Sequence, residues 1–94
     1  METNNNICKE SFFMSYEILA KFIPVEVELQ RAEKLHPNFP TDLFQQLAIM
    51  QEEAGEVTKA VLDYHFRNDT IEHVREELIH TAAMCVRMLH NLPK

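Results

Sequence analysis

Apolar residues in the second half of the chain recur at alternating steps of four and three: Leu43, Leu47, Met50, Ala54, Val57, Val61 and Tyr64. That spacing is the period of an α-helix with one packing seam, and it predicts a helix of about six turns. A second stripe, Ile71, Val74, Leu78, Ala82, Cys85 and Leu89, predicts another helix. Asp42 with Gln45, and Asp69 with Glu72, have the three-residue spacing of capping boxes, and they mark the two starts. The first helix ends near Phe66, Arg67–Thr70 supplies the turn, and Asn91 and Pro93 close the second.

The N-terminal half is less regular. A helix is expected to begin near Lys9, with Phe12, Tyr16, Leu19 and Ile23 on one stripe. Pro24 removes a backbone donor and clashes with the preceding turn, so it breaks or kinks that helix. Beyond it, Val25, Leu29 and Ala32 share a face, and Pro24 sits where a new helix would start. One kinked helix and two helices both satisfy the pattern. His36, Pro37, Asn38, Phe39 and Pro40 forbid helical continuation, and the Asn-rich residues 1–7 are expected to fray.

Composition agrees with one small all-α domain over residues 1–94, a short helical bundle ending in a helix hairpin. One glycine and four prolines leave too few turns for a sheet of short strands, and 46% apolar content is ordinary for a globular chain. Cys8 and Cys85 form no metal-binding pair motif, and a reducing cytoplasm fits them best. There is no leader-like start and no stretch of membrane-spanning length. A net charge of −6 makes nucleic-acid polymers poor partners. A small anionic ligand is still admissible, because bound cations invert a local field.

Candidate chemistry sits on the two C-terminal helices. Glu53 and Glu56 are three apart, and Glu52 is four from Glu56. Like charges at those spacings repel by a few tenths of a kcal/mol. On the next helix Glu77 and His80 are also three apart. With a turn near residues 67 and 68, Glu53 and Glu56 are level with positions of about 82 and 79. The two pairs then lie within a few ångströms of each other in height. Gly55, the only glycine, stands inside a helix at a cost of about 1 kcal/mol against alanine. Either a ligand or partner needs the space, or another helix packs closely there.

Gln51-Glu52-Glu53-Ala54-Gly55-Glu56-Val57, followed by Glu76-Glu77-Leu78-Ile79, resembles the core of the MazG-like nucleoside triphosphate pyrophosphohydrolases. The likeness covers roughly residues 36–90 and rests on EExxE on one helix and ExxD on the next. It implies hydrolysis of a (d)NTP to (d)NMP and pyrophosphate with magnesium, held by Glu53, Glu56 and Glu77, with Glu52 or Glu53 as general base. It also implies a homodimer or higher homo-oligomer, which a marginally small chain with amphipathic seams needs in any case. The departure is His80, where the family has aspartate. Imidazole suits manganese better than magnesium, so a ligand role for His80 shifts the expected ion.

Lys59, Arg75 and Arg87 stand within a few turns of the cluster, as phosphate contacts or as ordinary surface ion-pair partners. Two other functional classes stay open. One is a nucleotide-binding or dimeric interaction module of the same fold without turnover. The other is a di-iron bundle, since Glu33-Lys34-Leu35-His36 and Glu77-Leu78-Ile79-His80 both read ExxH.

Overall fold

The computed structural model describes the backbone from Glu2 and side chains from Tyr16 to Lys94. The expectations for Met1 and for the side chains of Cys8, Phe12 and Phe13 lie outside what is so described, and the first helix starts at Glu2 rather than near Lys9. Three helices make the fold: α1 (Glu2–Leu35), α2 (Leu43–Phe66) and α3 (Ile71–His90). The described residues include no strand, and the chain is all-α. Pro24 lies inside α1, so the segment is one helix and not two.

Local chemistry fixes the ends. The Asp42 carboxylate accepts from the backbone N–H groups of Phe44 and Gln45, at 2.7 and 3.1 Å, and starts α2 where the sequence places it. At α3 the cap is Thr70, one residue later than Asp69: its hydroxyl accepts from His73 N–H at 3.3 Å. The reason is the turn. Asn68 takes a left-handed conformation at φ 58°, tolerable for asparagine, and Thr70 is left extended at the helix start. Asp69 instead accepts from Thr70 N–H at 2.7 Å and lies 2.8 Å from His73 Nδ1.

α3 is the central element: α1 and α2 each pack on it, and among the described residues they do not pack on each other. α2 runs antiparallel to α3. The Thr81 hydroxyl meets the Glu53 carbonyl at 3.1 Å, and Gln46 donates to the Asn91 carbonyl at 2.8 Å. The first of these pairs is within a residue of the level expected from the turn. α1 runs parallel to α3, since Glu28 faces His80 and the His36 carbonyl accepts from Arg87.

The enclosed face mixes apolar and polar residues. Buried apolar residues are few, namely Ala60, Val74 and Ala83, and they are joined by Gln46 and Arg87. On α2 the inward face runs through Gln46, Met50, Glu53, Val57 and Ala60, while the seam expected inside stays open at Leu43, Leu47, Val61 and Tyr64. On α3, Ile71, Leu78 and Leu89 of the expected stripe are exposed, and so are Tyr16, Leu19 and Ile23 on α1. These apolar stripes are real, but among the described residues nothing covers them. The accessible surface is 7817 Å², against about 5,600 Å² for a compact monomer of this 11.0 kDa mass. The radius of gyration, 16.8 Å, likewise exceeds the roughly 12 Å of a compact 94-residue domain.

Candidate metal centre

Facing direction decides whether the hairpin brings its acids together. At about 100° per residue, the inward arc of α2 passes through Gln46, Glu53 and Ala60, and that of α3 through Val74, Glu77, His80 and Arg87. Glu53, Glu77 and His80 therefore point into the crevice between the helices. One ligand atom from each lies within 4.8 Å of the other two, and all three side chains are half-buried. The Thr81 hydroxyl stands between the helices at this level, 3.1 Å from the Glu53 carbonyl and 2.8 Å from that of Glu77.

The electrostatics follow from this closeness. Partial burial pushes the Glu53 carboxyl above its ordinary pKa. His80 opposes that shift, and the neighbouring charges of Glu77, Glu52 and Glu56 add to it. Glu52 and Glu56 themselves remain exposed and outside the converging set. They lie about 100° and 60° round α2 from Glu53, far enough to face solvent and near enough to be felt.

The sequence reading missed Glu28. It comes from α1, and its carboxylate is 3.8 Å from His80 Nε2, while Glu77 is 3.6 Å from Nδ1. The imidazole thus has a carboxylate on each side. Glu28 is held by Arg31, whose Nε and Nη2 donate at 2.8 and 2.6 Å. That bidentate hydrogen bond is the main cause holding the Glu28 carboxyl below its usual pKa. A signal was present in the sequence: Glu28 interrupts the apolar stripe Val25, Leu29, Ala32 at the helical step, an acid on an inward face.

The three basic residues separate. Lys59 sits about 120° round α2 from Glu53 and pairs with Asp63 at 3.2 Å. Arg75 pairs with Glu72 on the far side of α3 from Glu77. Arg87 is no surface residue: it is 4% exposed, donates from Nη2 to the His36 carbonyl, and lies over the Phe39 ring at 4.9 Å. With Glu28, Arg31, His36, Glu53 and His80 it lines a cavity of about 170 Å³. His36 thus reaches the same cavity as His80, although Glu33 of its ExxH motif is exposed and does not line it.

The donor set fits a divalent ion. Ligands at 2.0–2.1 Å from one ion are at most about 4.2 Å apart, close to the spread of this set. Two carboxylates and one imidazole form a mixed oxygen–nitrogen set, better matched to manganese than to magnesium. Glu28, on the outer nitrogen, has the place of a carboxylate that orients a ligating histidine.

Gly55 has no neighbour: an added Cβ would meet no atom of the chain within 4 Å. Close packing inside the chain is therefore not its reason. No family model matches the chain, and no curated protein or solved structure matches it. No helix among the described residues is long and apolar enough to cross a membrane.

Proposed function

We propose that this chain is a divalent-metal-dependent nucleoside triphosphate pyrophosphohydrolase of the MazG-like kind, cleaving a (d)NTP to the monophosphate and pyrophosphate. The observation that carries the proposal is the convergence of Glu53, Glu77 and His80 across the hairpin, one residue of EExxE meeting two of the next helix. An ion held there supplies Lewis acidity toward phosphate oxygens and acidifies water. Glu53, Glu77 and His80 hold it, and Glu28 with Arg31 keeps the His80 ring aimed. The carboxylates confine binding to a metal-complexed triphosphate, since a bare polyanion is repelled.

The working unit in this proposal is a homodimer or higher homo-oligomer. The exposed apolar side chains of α2 and α3 need a cover, which an interface between copies would supply. Gly55 and the open apolar stripes are its expected contacts.

The test is a panel of NTPs and dNTPs with manganese or magnesium, scored for pyrophosphate release. Glu53→Gln and Glu77→Gln are each expected to lose turnover by a factor of a hundred or more while retaining helicity. Nucleotide binding with no pyrophosphate from any substrate would leave only a binding module of this fold. Normal turnover in either variant would remove that residue from the site.

A further inference from the structure

Arg87 is a buried cation without a buried anion. Its side chain is 4% exposed, and no Asp or Glu among the described residues forms an ion pair with it. The His36 carbonyl at the C-terminal end of α1 and the Phe39 ring offset part of the charge. Its Nε donor is left with no partner at all. A buried guanidinium is costly unless paired, and an unmade buried hydrogen bond adds to the cost. Such a residue points to an acceptor that arrives from outside.

The cavity that Arg87 lines says what size and sign that acceptor has. Its volume, about 170 Å³, is below the 300 Å³ or more of a pocket for a drug-sized ligand and equals the share of about five or six waters. A nucleoside does not fit, whereas one or two phosphoryl groups do. Of the two carboxylates lining the cavity, Glu28 is paired with Arg31, and Glu53 belongs with His80 to the candidate metal centre.

We infer that the cavity between α1 and the hairpin is the seat of the two outer phosphates, later the leaving pyrophosphate, with Arg87 as its anion receptor beside the metal centre. The nucleoside then stays outside, and Lys59 and Arg75, both elsewhere on the surface, take no part. This rests on the proposed function for the identity of the anion, but not for the existence of an anion seat at Arg87.

The test is calorimetric titration of the full chain with MnCl₂ alone, sodium pyrophosphate alone, and pyrophosphate after manganese. Wild type should bind manganese, then pyrophosphate, with much weaker pyrophosphate binding when the metal is omitted. Arg87→Met should weaken pyrophosphate binding about tenfold or more and leave manganese affinity unchanged, and Arg87→Lys should recover part of the loss. A purely structural role for Arg87, capping α1, predicts instead a lower melting temperature with pyrophosphate affinity intact, and that result overturns the inference. If Arg87→Met does not fold, Arg87→Lys in the same titration, with pyrophosphate-dependent change in melting temperature, decides the matter. Manganese binding without pyrophosphate binding in wild type overturns the anion seat and leaves the metal centre standing. Pyrophosphate binding lost with Arg87→Met but no manganese bound anywhere overturns the proposed function and leaves the anion seat standing. A variant whose only change is a weakened dimer shows that Arg87 pairs with a second copy, which also overturns the inference.

Discussion

His80 is the residue on which the choice of ion turns. It stands between the Glu77 and Glu28 carboxylates, at 3.6 and 3.8 Å, with Glu53 completing the set. His80→Asp substitutes a hard oxygen ligand for a nitrogen, so magnesium affinity should rise and the preference for manganese should shrink. The same change places a fourth carboxylate among three, so the metal-free variant should melt at lower temperature than wild type and gain more on adding metal. Magnesium and manganese titrations, each followed by calorimetry and by melting, read both effects. No gain in magnesium affinity would place position 80 outside the ion's contacts. Glu53→Gln works in the opposite sense: burial and like charges raise the pKa of Glu53, so its ionised form opposes folding at neutral pH. The amide should leave metal-free stability equal or higher while abolishing metal binding, and a large loss of stability would mark the group as structural. Glu53, Glu77 and His80 were legible in the sequence because helical spacing and hairpin register are local rules. Glu28 was not, and Arg87 was picked out as a cation near the cluster but not as a buried one, because both depend on which neighbour the helix meets, and α1 meets α3 far along the chain.

The helices themselves were legible from period, caps and prolines, and the level of α2 against α3 followed from the turn alone. What period could not choose was which of two faces turns inward. Both faces of α2 and α3 carry apolar residues, and the chain encloses the one bearing Gln46, Glu53, Glu77, His80 and Arg87. Gly55 tests this at the scale of one element. In an isolated chain Gly55→Ala meets no atom and should stabilise α2 by about 1 kcal/mol through helix propensity. Where another copy packs against that surface, the methyl group should weaken association instead; equilibrium melts at low and high protein concentration separate the two. The start of α3 offers a pH-dependent check. Hydrogen bonding to Asp69 raises the His73 pKa, and the same contact is the main cause lowering that of Asp69. The histidine's share of stability is therefore full below its unfolded pKa, about 6.5, and lost as pH rises through its higher folded value. The aspartate's share is present above about 3.9 and lost as pH falls through its lower folded value. Asp69→Asn should thus lower the melting temperature more at about pH 5.5 than at about pH 9, by circular dichroism. Equal losses at both values would mean that the ion pair contributes nothing.

At the scale of the whole molecule, the open stripes decide what the chain is in solution. A monomer that leaves Ile23, Leu47, Leu78 and Leu89 each more than 40% exposed has spent its apolar residues on surface that water must cover. The proposed homo-oligomer would cover part of that surface. Leu78 and Leu89 lie on one stripe of α3, turned away from the metal centre, so they report on assembly without touching the site. For a free monomer, Leu89→Glu changes an exposed position and should alter stability by no more than about 0.5 kcal/mol. For an oligomer it exchanges a buried leucine, about 2 kcal/mol, for a buried charge, at each symmetry-related copy. Light scattering of wild type at micromolar concentration should therefore give at least twice the 11.0 kDa chain mass, and its melting temperature should rise with protein concentration. Leu78→Glu and Leu89→Glu should each shift the mass toward one chain and remove that dependence. Metal affinity measured above the dissociation constant of the assembly should be spared if the centre is complete within one chain, and lost with assembly if the second copy supplies part of it. Wild-type protein with the mass of a single chain and native helicity would end the oligomer proposal, and would require these stripes to be covered by a partner of another kind.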